Sequence, residues 1–436
     1  MKLDVTPDSP ALDTSLRITL DGLAPGASVT VGAACHDLLG RRWAAQAVFA
    51  AGRDGTVDLA RDAPRSGSYA GADPMGLIWS MTVQEGPPEP AEPAAAAPAE
   101  PAGGAPEDPQ RLTLTAVVDG SPVAETSVER HRRPPGLTRV AVDAGGLVGV
   151  LFHPEDGPAR PGVIMVGGAE GGLHEMEAAL LAAHGFAVLS LAYFGAPGLP
   201  SGLVEVPLEY FGSAIDWLLA HPRVAGDRVG ITGGSRGGEA ALLVGSTFER
   251  IGAVVSVVGS GVLTQGIPYE RGTLLDILRT PAPSWTWRGT ALPYLPYTVP
   301  SELERQVIEG RPVQLRLAFP THDSDLLARY AIEVEWIRGP VLMLTAERDD
   351  QWDAPTLSAV AVARLDRAGY PFQHQHVTYP GAGHAIAPPP YGPTTELTAP
   401  GPGVMFATGG TPEATATARA DQWIRATAWF AEHLGG

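Results

Sequence analysis

The chain has 436 residues, 44% of them hydrophobic and 18% charged, and a formal net charge of −18. That length holds two or three domains with a large core, and the acidic excess argues against nucleic acid as a partner. No run approaches the ~20 apolar residues of a membrane span, and a lone Cys35 excludes an internal disulfide framework and suits a reducing cytoplasm.

The opening segment Met1–Pro7 lacks the apolar core of a secretion signal, so a cytoplasmic protein is expected. Residues 1–84 show short alternating runs, such as Leu16–Leu20 and Leu77–Val83. Turn pairs at Asp21-Gly22, Pro25-Gly26 and Asp54-Gly55 separate them, the signature of an antiparallel sandwich. From 85 to 110 the chain is almost wholly Pro, Ala, Glu and Gly, read as a disordered loop. Alternation resumes at Arg111–Val117 and Ala124–Val128. The tract therefore lies inside one sandwich domain, 1–133, with the boundary at Arg132-Arg133-Pro134-Pro135-Gly136.

From 134 to 436 continuously apolar strands alternate with helical patterns. Strands are expected at 163–166, 187–191, 229–232, 253–258, 341–345 and 376–379. Helices are expected at 175–183, 207–220, 236–247, 355–368 and 416–433. This is the pattern of a mostly parallel, doubly wound α/β sheet buried on both faces. The rhythm breaks at about 259–336, where Trp285, Trp287, Tyr294 and Tyr297 fall among prolines. Either this is a cap whose aromatics line an acyl pocket, or it is a surface excursion packed by its own aromatics.

The most informative segment is Gly233-Gly234-Ser235-Arg236-Gly237, set between the apolar run ending at Ile231 and the helix-compatible run Ala240–Val244. A Gly-x-Ser-x-Gly at a strand-to-helix turn is a nucleophile elbow, which lifts the Ser Oγ clear of the sheet. His384, in a loop after the strand 376–379, is the expected base. The acid is expected after the strand 341–345, in Glu347-Arg348-Asp349-Asp350. Two adjacent carboxylates cannot both face one imidazole. Asp350 is the choice, with Asp349 in reserve and Asp353 third. Oxyanion donors are expected from the backbone N–H groups of Arg236 and Ala169, with Glu170 as the alternative to Ala169. His374 and His376, and the Thr321–Asp325 segment, lack metal-ligand spacing, so no metal or other cofactor is expected.

Several segments together resemble the acyl-CoA thioesterase and bile acid-CoA:amino acid N-acyltransferase family. They are Ser68–Ser80, Gly171-Gly172-Leu173-His174-Glu175, His184-Gly185-Phe186-Ala187, Leu191-Ala192-Tyr193, Asp349-Asp350-Gln351-Trp352 and Tyr379–His384. The resemblance implies an α/β-hydrolase domain behind a β-sandwich, acting on acyl thioesters through an acyl-enzyme, with the second Asp of the pair as acid. It also implies Cys at the elbow in amidating members and Ser in thioesterases. Ser235 therefore favours water over an amine or hydroxyl acceptor, with acyltransferase as the alternative. The expected partner is an acyl thioester of coenzyme A or of a carrier protein. A body carrying −18 repels the phosphates of coenzyme A, so an arginine group such as Arg271, Arg288 or Arg132-Arg133 would have to offset it. A single lysine, Lys2, amid abundant Arg, Ala, Gly and Pro suggests a high-GC bacterial source.

Overall fold

The computed structural model describes residues 1–84, 109–142 and 144–435. Most of the Pro/Ala-rich tract expected to be a disordered loop thus lies outside the described residues. On either side of it, short alternating runs pair as two antiparallel sheets. One joins Lys2–Thr6, Arg17–Asp21 and Val57–Asp58. The other is built around Arg42–Ala50, Ser28–His36, Gln110–Val118 and Ser121–Arg130. Strand period two sends Val29, Val31, Ala33 and Cys35 of one strand inward. There they meet Leu112 and Leu114 of its neighbour and Ile18, Leu20 and Val57 of the facing sheet in one core. Burial pushes the Cys35 thiol up to about 11, so Cys35 is a packing residue.

The chain leaves the sandwich after Arg130 and enters an eight-stranded sheet at Leu137–Ala141. The order across this sheet is Leu137–Ala141, Val148–Pro154, Ala187–Ala192, Arg160–Val166, Val224–Gly234, Ile251–Val257, Val341–Ala346 and His374–Tyr379. The first two pairings are antiparallel and the other five parallel. Both faces are covered. Val163 and Met165 join a layer with the helices Glu175–Ala183 and Pro412–Leu434. Ile164 and Val166 join the opposite layer, with Leu208–Ala220 and Arg236–Thr247. This is why the strands read as unbroken apolar runs. The antiparallel edge at 137–154 and a hairpin, Thr398–Gly401 with Val404–Ala407, were not expected.

The sandwich packs against one end of this α/β domain. Arg130, fully buried, donates from Nη2 to the carbonyls of Leu12 and Tyr391 at 2.6 and 2.8 Å. The Thr394 N–H donates to the Trp79 carbonyl at 3.0 Å. Asp73 caps the short turn before Trp79 through the Met75 amide and also accepts from the Trp79 indole, each at 2.8 Å. The Ser68–Ser80 motif is thus an architectural device. Asp13, its side chain 3% exposed, accepts from the Trp423 indole at 2.8 Å and lies 2.7 Å from His184 Nε2. No helix among the described residues is long and apolar enough to cross a membrane.

Two outcomes follow from these contacts. The hydrogen bond with Asp13 raises the His184 pKa above its ordinary 6.5. Its stabilisation is therefore complete below about pH 6.5 and fades as pH climbs through the raised folded value. Thermal melts of wild type between about pH 5.5 and 8.5 are expected to lose more stability than those of Asp13→Asn, which lacks this charge pairing. At the elbow, a Cβ on Gly237 would lie 2.5 Å from the Gly167 carbonyl oxygen and 2.8 Å from that of Val166. Both obstacles are backbone, so Gly237→Ala is expected to lower the urea-unfolding free energy by about 1–3 kcal/mol.

Candidate active site

Parallel α/β sheets place ligands beyond the carboxyl ends of their strands, and here four strands deliver the expected residues to that edge. Val224–Gly234 runs directly into Ser235, which holds φ 55° and ψ −120° and precedes the helix Arg236–Thr247. A non-glycine residue in that region is strained by about 1–3 kcal/mol. The Ser235 amide donates to the Val257 carbonyl at 2.9 Å, which helps hold the turn. A Cβ on Gly233 would meet the Gly237 carbonyl carbon at 2.6 Å, and one on Gly234 would meet the Ala387 methyl at 2.6 Å. The glycines are therefore spatial requirements of the crossing.

His384, 8% exposed, presents Nδ1 to Asp349 Oδ2 at 2.7 Å. The other oxygen of Asp349 accepts the backbone amides of Gln351 at 2.9 Å and Trp352 at 3.1 Å. That carboxylate is 1% exposed on its side chain and fully occupied. The choice of Asp350 is thereby corrected. Its Oδ1 accepts from Gln314 Nε2 at 3.0 Å and pairs with Arg316 Nε at 3.1 Å, in a separate polar cleft. Backbone parity is the reason. Asp349 pairs antiparallel with Gly409 and aims inward, so its successor aims away. Asp353 caps the helix Ala354–Ala368 by accepting the Thr356 amide.

The segment Thr408-Gly409-Gly410 went unnoticed in the sequence. It runs between the acid and His loops: the His384 amide donates to the Thr408 carbonyl at 2.8 Å. A Cβ on Gly383 or Gly409 would collide with backbone on the other side of this junction. Paired glycines at 409 and 410 were the available signal.

Ser235 and His384 line one cavity of about 400 Å³, together with Gly167, Gly168, Ala169 and Glu170 of the loop after Arg160–Val166. The Gly168 amide donates to Glu170 Oε1 at 2.7 Å, and the Ala169 carbonyl accepts the Tyr269 hydroxyl at 2.6 Å. These contacts set the loop beside the elbow. Arg236 occupies the first helical position, where an amide has no partner within its own helix. The remaining wall is mostly apolar: Met165, Leu181, Phe406, Trp423, Ala426 and Phe430 among others. None of the lining residues is Arg or Lys, and Arg271, Arg288, Arg132 and Arg133 are not among them.

The stretch 259–336 sends only Tyr269 into this wall. Trp285, 1% exposed, stacks on Tyr193 at 5.6 Å, and Tyr297 packs edge-on to Phe319 at 5.2 Å. Trp285 thus packs against the core of the α/β domain, and Tyr297 within the stretch itself. They are tied to the elbow by charge. The Arg236 guanidinium turns away from the cavity into a buried pair with Glu239 at 2.9 Å and donates to Ser284 Oγ at 2.5 Å. Glu239 also accepts from Thr264 Oγ1 at 2.6 Å and the Trp285 indole at 3.0 Å. Burial raises the Glu239 pKa, while the adjacent guanidinium and these donors oppose the shift.

A family model described as the acyl-CoA thioester hydrolase/BAAT N-terminal region matches residues 13–144. The model for the BAAT/acyl-CoA thioester hydrolase C terminal matches 206–436. Human acyl-coenzyme A thioesterase 1 is 33% identical over 97% of this chain and 94% of its own. Mouse bile acid-CoA:amino acid N-acyltransferase is 31% identical over 89% of this chain and 87% of its own. The mouse peroxisomal succinyl-coenzyme A thioesterase is 31% identical over 97% and 94%.

Removing one partner of the buried pair strands the other charge, so Glu239→Leu is expected to cost about 3–5 kcal/mol. The double variant Arg236→Met with Glu239→Leu is expected to recover most of that loss. Denaturant titrations of the two variants and wild type measure the difference.

Proposed function

The chain belongs to the acyl-CoA thioester hydrolase/BAAT family, and we propose that it is a serine acyl thioesterase acting through Ser235, His384 and Asp349. The substrate is an acyl-CoA or acyl-carrier thioester. The reading rests above all on one observation. A serine at a strained positive-φ apex shares a cavity with a histidine whose far nitrogen is held 2.7 Å from a buried carboxylate.

In this reaction Ser235 Oγ attacks the thioester carbonyl while His384 Nε2 takes the hydroxyl proton. Asp349 keeps the proton of the ring on Nδ1 and stabilises the cationic imidazole. Charge develops on the carbonyl oxygen, where the amides of Ala169 and Arg236 serve as donors. The C–S bond then breaks, and His384 returns its proton to the leaving sulfur. Water, deprotonated by the same imidazole, attacks the Ser235 ester and releases the free acid. Serine at the elbow supports water as acceptor, because an oxyester is less open to amine attack than the thioester a cysteine would form.

Thiol release from a series of acyl thioesters tests this reading. Ser235→Ala is expected to reduce turnover to background. Asp349→Asn is expected to lower kcat by about 10⁴, with Asp350→Asn staying within a few-fold of wild type. Full activity in Ser235→Ala or Asp349→Asn would overturn the assignment. Amide exceeding free acid when amino acids are supplied would make the enzyme an acyltransferase.

A further inference from the structure

One face of the helix Glu175–Ala183, extended to its N-cap His174, borders the cavity through His174, Glu177 and Leu181, at helical spacing. Glu170, from the preceding loop, joins them. His174 Nε2 lies 3.0 Å from Glu170 Oε1, and His174 Nδ1 lies 3.9 Å from Glu177 Oε2. Burial disfavours a charged ring, but the two carboxylates outweigh it and raise the His174 pKa well above its ordinary value. Burial opposes ionisation of Glu177, yet His174 holds both glutamates below the usual carboxylate range, and Glu170, its side chain 46% exposed, also reaches solvent. One imidazolium between two carboxylates leaves one negative charge on this wall. A neutral imidazole would leave two, so the sign of the field holds in either state.

The cluster belongs to no part of the relay. The His174 ring packs against Gly167, and the Gly167 carbonyl in turn packs against Gly237 of the elbow. The charged group thus borders the carbonyl end of the cavity, while Leu181 lies a turn further along the helix. The Thr427 hydroxyl also borders the cavity, buried and without a hydrogen-bond partner. Negative charge therefore gathers beside the elbow in a mostly apolar chamber that also holds neutral polar groups such as Gln351 and Gln422, and no Arg or Lys lines it. An aliphatic chain gains nothing from such a wall, and an acyl group ending in a carboxylate is repelled by it.

Resting on the thioesterase reading above, we propose that the preferred acyl group carries an ammonium substituent a few carbons from the thioester carbonyl, received by Glu170 and Glu177. The cation replaces lost hydration with charge-assisted hydrogen bonds. His174 keeps the two carboxylates from repelling each other before substrate arrives.

Three N-acetylcysteamine thioesters of nearly equal size separate the possibilities: β-alanyl, butanoyl and succinyl. Hydrolysis of the β-alanyl ester is expected to exceed that of butanoyl in kcat/KM by about tenfold or more, with succinyl poorest. Glu177→Gln, which leaves the Gly168–Glu170 contact in place, is expected to shrink the β-alanyl to butanoyl ratio about tenfold, mainly through KM. Glu177→Asp is expected to restore part of it. Preference for butanoyl or succinyl, or a ratio unmoved by Glu177→Gln, overturns the proposal. So does amide formation from an added amine with β-alanyl no better than butanoyl, since that places the cation on the acceptor. If none of the three is hydrolysed, the thioesterase reading fails separately. Calorimetric titration of Ser235→Ala with the three matching primary amides then still decides the subsite. The proposal stands if the β-alanyl amide binds tightest and Glu177→Gln weakens it, and falls otherwise.

Discussion

Contact between bare backbones at one crossing governs the rest of this molecule. The strand ending at Gly234, the helix beginning at Arg236 and the loop at Gly167 approach so closely that no Cβ fits at residues 233 or 237. Ser235 then has no choice but a left-handed conformation, and its side chain is carried off the sheet. The same approach brings the loop 167–170 alongside the first turn of the helix. Two chain segments thus lie side by side at the turn, held there by backbone packing. A strained residue survives where its surroundings over-determine it, and here they do so through packing on three sides.

A second junction of the same kind draws Asp349 and His384 together. The segments around residues 349, 384 and 409 have no regular pairing of their own, yet main-chain atoms join them: the amides of Asp350 and His384 both donate to the Thr408 carbonyl. The β-sandwich reaches this junction through Thr394 and Tyr391, just beyond the His384 loop. The N-terminal sandwich therefore packs against the segment that follows the His384 loop. This gives a physical reason for both parts to persist in one chain.

Much of this was readable before any coordinates. The buried strands announced themselves as apolar runs, and the helices fell within a few residues of their expected spans, because tertiary burial and local periodicity agree there. The turn at Ser235 was legible because a strand-turn-helix context is local. The carboxylate that faces His384 was not. Which of two neighbouring aspartates faces inward depends on pairing with residue 409, some 60 positions away, and periodicity carries no trace of that. Trp285 and its neighbours illustrate the converse. Aromatic content signals burial, but it does not say whether the buried face looks onto a ligand chamber or onto Tyr193 and Phe211. The cluster of Glu170, His174 and Glu177 was in plain view as helix-start chemistry. It acquires meaning only when the opposite side of the chamber proves to hold no compensating cation.

The Arg236–Glu239 pair ties the stretch 259–336 to the elbow helix and makes its displacement expensive. Swinging the segment outward would tear Ser284, Thr264 and Trp285 from a guanidinium and a carboxylate and leave both in a dry interior. The hairpin 398–407 on another side of the chamber is fastened differently, by main-chain hydrogen bonds to Leu274 and Val313, which water can replace at little expense. The stretch 259–336 is thereby fastened to the helix that begins at Arg236 by buried charge, whereas the hairpin is held by contacts that water can replace.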